Sequence, residues 1–324
     1  MVLNHAGTTL SVVIPAYNEA AALPALAGRL RPVLDRLAEP YEVLIVDDGS
    51  TDTTASVLAG LGESWPELRI VRLRRNSGHQ GALIAGLFRA LGDYVVSIDA
   101  DLQDPPEKIP EMLQLARRDG LDIVHGVRED RSSDTPFKRW SASVYYRLMR
   151  RLVGAAVPAH AGDFRLLSRS AIEVLRGIPG RHVLRLLVPW TGLPAGEVRY
   201  ARQKRVAGGT KYPLSKMVLL ATESVTAFSA APLRIATGLG LVGVTVAIGL
   251  SLMASVRYLN GDTVSGWTSI FMAVLFFGAV QLLCLGLLGE YIGRLFATVQ
   301  GLPRYLVGSD TADAATVPDP AGRQ

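Results

Sequence analysis

The sequence predicts an α/β domain built on a doubly wound, mostly parallel sheet, followed by a two-helix transmembrane hairpin. Three observations predict it. Short apolar runs alternate with helical stretches through the first part of the chain, acidic motifs close several of those runs, and two long uncharged segments lie near the C-terminal end. Strands separated by helices cross over to parallel neighbours. The chain has 324 residues, enough for a globular domain of about 200 and a further region. Hydrophobic residues make up 49% and mean hydropathy is +0.25, which excludes a disordered chain and is high for a wholly soluble protein.

The elements follow in order. Residues 10–17 form an apolar run ending in Pro15, Ala16, Tyr17, Asn18 and Glu19, and an Ala/Leu-rich helical stretch follows over 20–37. A second strand over 42–46 is closed by Asp47, Asp48, Gly49 and Ser50, with a helix from about Asp52 that Ser50, Thr51 and Asp52 are suited to cap. Residues 68–73 read as a third strand, and 80–91 as a helix behind a turn containing Gly78 and Gly81. A fourth strand over 94–98 runs straight into Asp99, Ala100 and Asp101. A helix starts near Pro105, since proline is tolerated in a first turn, and 122–127 read as a fifth strand. Ligands of such sheets collect beyond the carboxyl ends of the strands, and the acidic motifs fall there.

Residues 235–256 and 263–289 carry no charge, being bounded by Arg234, Arg257, Asp262 and Glu290. At the helical rise, the shorter of them reaches ~33 Å, enough for a hydrocarbon core of ~30 Å. A short connection over 257–266 makes them a hairpin with both ends on one side. Lys211, Lys216, Arg234, Arg294 and Arg304 flank those ends against Arg257 alone in the loop, which places the large N-terminal domain in the cytoplasm of a multi-pass protein of the cell (inner or plasma) membrane. Residues 1–9 do not read as a signal peptide, and the chain beyond Val307 reads as disordered. The expected organisation is 1–133 for the α/β core, 134–231 for a second part of the same domain with amphipathic juxtamembrane helices, 232–294 for the membrane helices and 295–324 for a largely disordered cytoplasmic tail.

Charge is unevenly spread. Residues 1–116 hold 9 Lys/Arg and 15 Asp/Glu, and residues 117–216 hold 20 and 8. That asymmetry suggests a metal-dependent site joined to an anion- or membrane-facing surface. Residues 137–153 mix aromatic and basic side chains as an amphipathic helix lying on an anionic membrane would. A nucleic-acid partner is disfavoured, because no nucleic-acid motif accompanies the charge. The single cysteine, Cys284, excludes a disulfide framework and a cysteine-based zinc cluster.

The central constellation is Asp99, Asp101 and Gln103. In extended backbone, alternate residues project to one face, so these three can converge on Mg²⁺ or Mn²⁺ and, through it, on a diphosphate. Asp48, ending a different strand, is assigned to the nucleotide. His79 reads as a helix-start residue, and His125 as a satisfied core histidine.

Three motifs in order, SVVIPAYNE over 11–19, VDDGSTD over 46–52 and DADLQDPPE over 99–107, resemble glycosyltransferase family 2, which has the GT-A fold. The resemblance continues through GDFRL over 162–166, RQKRVAGGTKY over 202–212 and GEYIGR over 289–294, as in the polyprenyl-phosphate glycosyltransferases, a group that includes dolichyl-phosphate mannose synthases and bactoprenol glucosyltransferases. It covers roughly residues 10–307. One departure is visible: Thr210 stands where the family has serine, and it keeps the hydroxyl.

The resemblance implies inverting transfer of a sugar from a UDP- or GDP-sugar to an undecaprenyl-, decaprenyl- or dolichyl-type phosphate, with homo-oligomerisation left open. It implies donor-nucleotide contacts from Pro15, Tyr17, Glu19, Asp48, Asp99, Ala100 and Asp101, and metal ligation by Asp99, Asp101 and Gln103. Catalytic roles fall on Asp163, Arg165, Arg205 and Lys211, with the acceptor phosphate held by Arg165, Arg202, Arg205 and Lys211. Guanidinium forks suit phosphate oxygens, whereas Arg128 and Arg131 can equally be idle surface charges. Asp163 either accepts a proton, orients the acceptor or sugar, or balances Arg165. Two alternatives stand beside this reading: an inactive membrane scaffold of the same fold, and a processive polysaccharide synthase, whose Q-x-x-R-W motif is missing here.

Overall fold

A central strand covered on both faces must be apolar along its whole length, and β1 (Leu10–Ala16) is buried at every position. A computed structural model of the chain describes residues 8–128, 161–178, 184–201, 231–260 and 266–314. In it β1 lies between β2 (Tyr41–Asp47) and β4 (Tyr94–Ser97), parallel to both, and β3 (Leu68–Leu73) pairs parallel with β2. Beyond β4, the strands β5 (Ile123–Arg128), β6 (Ala161–Ser168) and β7 (Ala195–Tyr200) complete one side, and β8 (Val307–Asp310) completes the other. The order is β7-β5-β6-β4-β1-β2-β3-β8, a mixed sheet in which β6 runs antiparallel to β4 and β5, and β8 antiparallel to β3.

Alternate residues of β1 feed two cores. Val12 and Ile14 pack with Leu26 and Leu30 of α1 (Leu23–Asp35), Leu58 of α2 (Thr54–Ser64) and Met112 of α4 (Ile109–Asp119). Val13 faces the opposite side, toward Leu83 and Leu87 of α3 (His79–Arg89), Ile172 of α5 (Arg169–Gly177) and Leu187 of α6 (Leu184–Trp190). Period-two alternation in the strand is thus converted into a two-layer cover. Helix α3 lies so close to the sheet that a Cβ on Gly86 would stand 2.3 Å from Val13 Cγ1 and 2.9 Å from Val46 Cγ2.

The first five strands and four helices fall within a few residues of their predicted positions. The described part of the tail, 307–314, departs from expectation. Residues 307–310 form β8 rather than a disordered segment, and α9 (Thr311–Ala314) follows it. Val307 packs against the core, and Asp310 is bound on the sheet by Arg69 and Arg89, two partners more than 200 positions away along the chain.

The chain divides into two units, Met1–Lys211 with Pro303–Gln324, and Tyr212–Leu302. The second contains α7 (Ala231–Leu259) and α8 (Trp267–Val299). By length and composition both are able to cross a membrane, over Ala236–Arg257 and Phe276–Val299. Their apolar side chains are exposed, Leu241, Leu252, Leu282 and Leu283 among them, as lipid-facing residues would be. Gly243 lets α7 approach Phe277 of α8: a Cβ there would lie 3.3 Å from the ring, the close packing that small residues permit between such helices. Helix α8 runs past the expected boundary at 294. The expected amphipathic helix over 137–153 lies outside the described residues.

Candidate active site

The loops at the carboxyl ends of β1 and β2 are tied together by Asn18. Its Oδ1 accepts from the Thr51 amide at 2.9 Å, and its own amide donates to Ser50 Oγ at 3.0 Å. Asn18 has φ 56, a left-handed conformation that asparagine tolerates better than most residues. The tie holds Tyr17 and Glu19 just beyond β1, in which Pro15 is buried; Tyr17 is exposed, and the Glu19 amide donates to Thr54 Oγ1 at 3.0 Å. Asp48 is buried, and its Oδ1 accepts from the Ser77 amide at 2.6 Å. It therefore also holds the loop before α3, a scaffolding task that its assignment to the nucleotide did not foresee. Burial pushes its carboxyl up, offset in part by the Ser77 and Gly78 amides.

Strand β4 stops at Ser97, and the backbone turns at Ala100 and Asp101. Alternation along an extended strand therefore does not place Asp99, Asp101 and Gln103 on one point. The turn makes its own contacts: Asp101 Oδ1 accepts from the Gln103 amide at 3.1 Å, and Leu102 takes φ 59 with its side chain buried. A leucine in that region is backbone strain of the kind found at ligand sites. Burial, followed by the nearby charges of Asp163, Asp104 and Asp101, raises the Asp99 carboxyl to about 6 despite the opposing pull of His79.

Asp163, on β6, is the hub of the site. Its Oδ1 accepts from Arg165 Nη2 at 2.8 Å, and its Oδ2 from His79 Nε2 at 3.2 Å and Gln80 Nε2 at 3.3 Å. Arg185 Nη2 lies 3.7 Å from the same Oδ2. Burial alone would raise the Asp163 carboxyl, but the His79 hydrogen bond and the charges of Arg165 and Arg185 outweigh it and hold the group well below the usual carboxylate range. His79 also reaches Asp99 Oδ1 at 3.6 Å, so it bridges the two acidic corners. Burial disfavours the charged imidazole, yet the two carboxylates win and raise its pKa. His125 is buried as expected, and burial with the charge of Arg165 lowers its pKa to about 3, so it is neutral at neutral pH. It is not satisfied, because its Nδ1 lacks a hydrogen-bond partner.

Arg165 corrects an expectation. It is 1% exposed, and its guanidinium donates to Asp163, to the Gly162 carbonyl at 2.9 Å and to the Leu184 carbonyl at 3.1 Å. A group enclosed in this way orients Asp163 and does not present itself to an arriving phosphate. Arg128 is likewise no idle surface charge. It donates to Asp104 at 3.2 Å and to the Tyr200 hydroxyl at 3.2 Å, and Tyr200 in turn donates to Asp104. Arg202, Arg205 and Lys211 lie outside the described residues. Sequence reasoning missed Asn18, Gln80 and Arg185 and ranked His79 too low. Only the position of His79 and Gln80 behind Gly78 hinted at a role.

No group of three or more His, Cys, Asp or Glu side chains able to hold a metal occurs among the described residues. A hard cation of the Mg²⁺ type commonly uses one or two carboxylates and takes its remaining oxygens from substrate phosphate and water. Asp99 and Asp101 fit that donor set, and a bound cation would favour the ionised carboxylate that burial opposes at Asp99.

The chain matches glycosyl transferase family 2 across residues 11–176. A protein of Escherichia coli (strain K12) named as a prophage bactoprenol glucosyl transferase homolog is 36% identical over 300 residues, covering 92% of this chain and 98% of its own. An uncharacterised glycosyltransferase of Bacillus subtilis (strain 168) is 38% identical over 299 residues, 92% of each chain. Glucosyl-3-phosphoglycerate synthase from Mycobacterium tuberculosis, solved with Mn²⁺, UDP and glucosyl-3-phosphoglycerate, superposes with a TM-score of 0.50 at 22% identity, over 68% of this chain and 78% of its own. That likeness is one of fold, the GT-A arrangement of sheet and helices. Matched by the family over half its length and by these relatives over nine-tenths of it, the chain is a glycosyltransferase and belongs to glycosyltransferase family 2.

Proposed function

We propose that the protein moves a sugar from a nucleotide-diphosphate sugar to a polyprenyl phosphate at the cytoplasmic face of the cell membrane, with inversion at the anomeric carbon and with Mg²⁺ or Mn²⁺ as cofactor. One observation carries the reading. The same domain holds the acidic corner at Asp99 and takes the chain back, as β8, after two helices long enough to cross a bilayer. A chain that leaves and re-enters one domain crosses a membrane an even number of times. The name of the E. coli relative supplies the acceptor class, and basic residues at the helix ends supply the orientation.

The chemistry suits these residues. A lipid phosphomonoester, with a second pKa near ~6, is largely dianionic at neutral pH and is already a nucleophile. Asp163, held ionised and weakly basic, then serves to orient rather than to take a proton. Asp99 and Asp101 would hold the metal, which when bound offsets charge on the donor diphosphate. Pro15, Tyr17, Glu19, Asp48 and Ala100 line the donor side, with Gln103 at the turn. Arg202, Arg205 and Lys211 are assigned to the acceptor phosphate, since guanidinium and ammonium groups suit phosphate oxygens.

The test is radiolabelled sugar transfer from a panel of UDP- and GDP-sugars into undecaprenyl, decaprenyl and dolichyl phosphate in detergent micelles. Label appearing in lipid supports the reading. Nucleotide-sugar turnover without lipid labelling in any combination refutes the acceptor, and chelator-resistant transfer refutes the metal.

A further inference from the structure

We infer that Arg185, at the start of α6, binds the acceptor's phosphate beside Asp163, taking the place that Arg165 leaves open. The inference rests on the polyprenyl-phosphate reading above and names the residue within it that meets the reacting anion.

Three observations carry it. Asp163 is already served without Arg185, since Arg165, His79 and Gln80 all donate to it at 2.8 to 3.3 Å. Arg185 stands farther off, at 3.7 Å, beyond hydrogen-bond reach. Arg165 neutralises Asp163 from within the protein, with a side chain only 2% exposed, whereas the Arg185 side chain is 45% exposed. One carboxylate thus has two guanidinium neighbours, one enclosed and one open to solvent. Among the described residues, Arg185 is the exposed arginine that reaches this hub.

A loose, half-exposed ion pair is weak, so Arg185 gives up little in turning toward an incoming dianion. A guanidinium offers a fork of donors that matches phosphate oxygens. The ligand chemistry is phosphate oxygen, and its two possible sources are the lipid phosphomonoester and the donor diphosphate. Position favours the lipid. His79 separates Asp163 from Asp99, the corner where metal and diphosphate are expected, and Arg185 lies at the Asp163 end of that bridge.

The experiment compares wild type, Arg185→Gln and Arg185→Lys as full-length protein in detergent micelles, varying polyprenyl phosphate at saturating nucleotide-sugar and then the reverse. Arg185→Gln is expected to raise KM for the lipid at least tenfold while KM for the nucleotide-sugar moves less than twofold, and Arg185→Lys to recover part of the loss. An unchanged lipid KM, or a rise confined to the nucleotide-sugar KM, overturns the assignment. Equal loss in both, with no rescue by lysine and a lowered melting temperature, shows a structural role and overturns it too. A wild-type enzyme that turns over nucleotide-sugar but never labels lipid refutes the acceptor reading itself, an outcome visible before any variant is made.

Discussion

Replacing Asp310 by asparagine should detach the C-terminal strand from the sheet. The Asp310 side chain is fully buried, and Arg69 grips both of its oxygens at 2.8 Å while Arg89 reaches Oδ2 at 2.7 Å. Breaking a buried ion pair by removing one partner costs ~3–5 kcal/mol, because the other charge stays buried. The low end applies here, since Glu42 remains 3.6 Å from Arg69 and keeps part of the compensation. A cost of about 3 kcal/mol corresponds to roughly a hundredfold rise in local opening. Two amides report it: Ile70 N–H donates to Thr311 Oγ1 at 3.0 Å, and Arg74 N–H donates to the Leu306 carbonyl at 2.8 Å. Both bonds exist only while the tail is docked. Native-state hydrogen exchange of Asp310→Asn should show these two amides exchanging about a hundredfold faster, while the Asp48 amide, bonded to Ala16, stays protected.

The same contact has a pH signature. Burial would raise the Asp310 carboxyl, but the hydrogen bond and charge of Arg69, the Ala312 amide and the charge of Arg89 together lower it below its ordinary value. A depressed folded-state pKa means the contribution is complete above the unfolded value of about 4 and disappears as pH falls through the folded one. Tail protection should therefore be flat from pH 5 to 8 in the wild type. Unchanged exchange at Ile70 and Arg74 in the variant would refute the reasoning, as would an equal increase across the whole sheet.

Three further outcomes are expected. Asp99→Asn and Asp101→Asn, which remove charge and keep size, should each lower metal-supported turnover at least tenfold and weaken Mn²⁺ binding followed by electron paramagnetic resonance; wild-type affinity in both would refute the metal assignment. With Cys284 replaced, a cysteine at Asn260 should react with an impermeant maleimide on intact cells, and one at Asp313 only after permeabilisation; labelling of both from one side would show that α7 and α8 do not span. Gly86→Ala gains ~1 kcal/mol of helix propensity but forces a methyl to 2.3 Å from Val13, an overpacking cost of ~1–3 kcal/mol, so its melting temperature should fall below that of the wild type.

Much of the first half was legible because its rules are local. The runs over 10–17, 42–46, 68–73 and 94–98 could be read as strands since each is apolar enough to be buried on both faces. The acidic motifs could be placed at one edge since parallel strands end together. What stayed hidden in the site came from groups that meet only on folding. Arg165 reads as an available cation in sequence, yet β6 inserts antiparallel between β4 and β5 and turns it inward to Asp163. Gln103 was placed by strand alternation that the turn at Ala100 and Asp101 had already broken. His79 and Arg185 converge on Asp163 from opposite sides in sequence, 84 and 22 positions away by number, and no periodicity announces that meeting.

The amino-acid sequence by itself determined the parallel α/β half, the acidic corner and the two helices of membrane-crossing length, because hydrophobic periodicity and the run of uncharged residues act over one element at a time. Only the tertiary structure decided that residues 307–310, at the head of a polar, small-residue tail, form a strand. Residues 307–310 have too little apolar surface to order themselves, and their order comes from the open edge of β3 and from Arg69 and Arg89, which leave a buried carboxylate site that Asp310 fills. The same holds for the division of labour between Arg165 and Arg185. Two arginines near one carboxylate are equivalent in composition, and burial is what makes one a brace and leaves the other open.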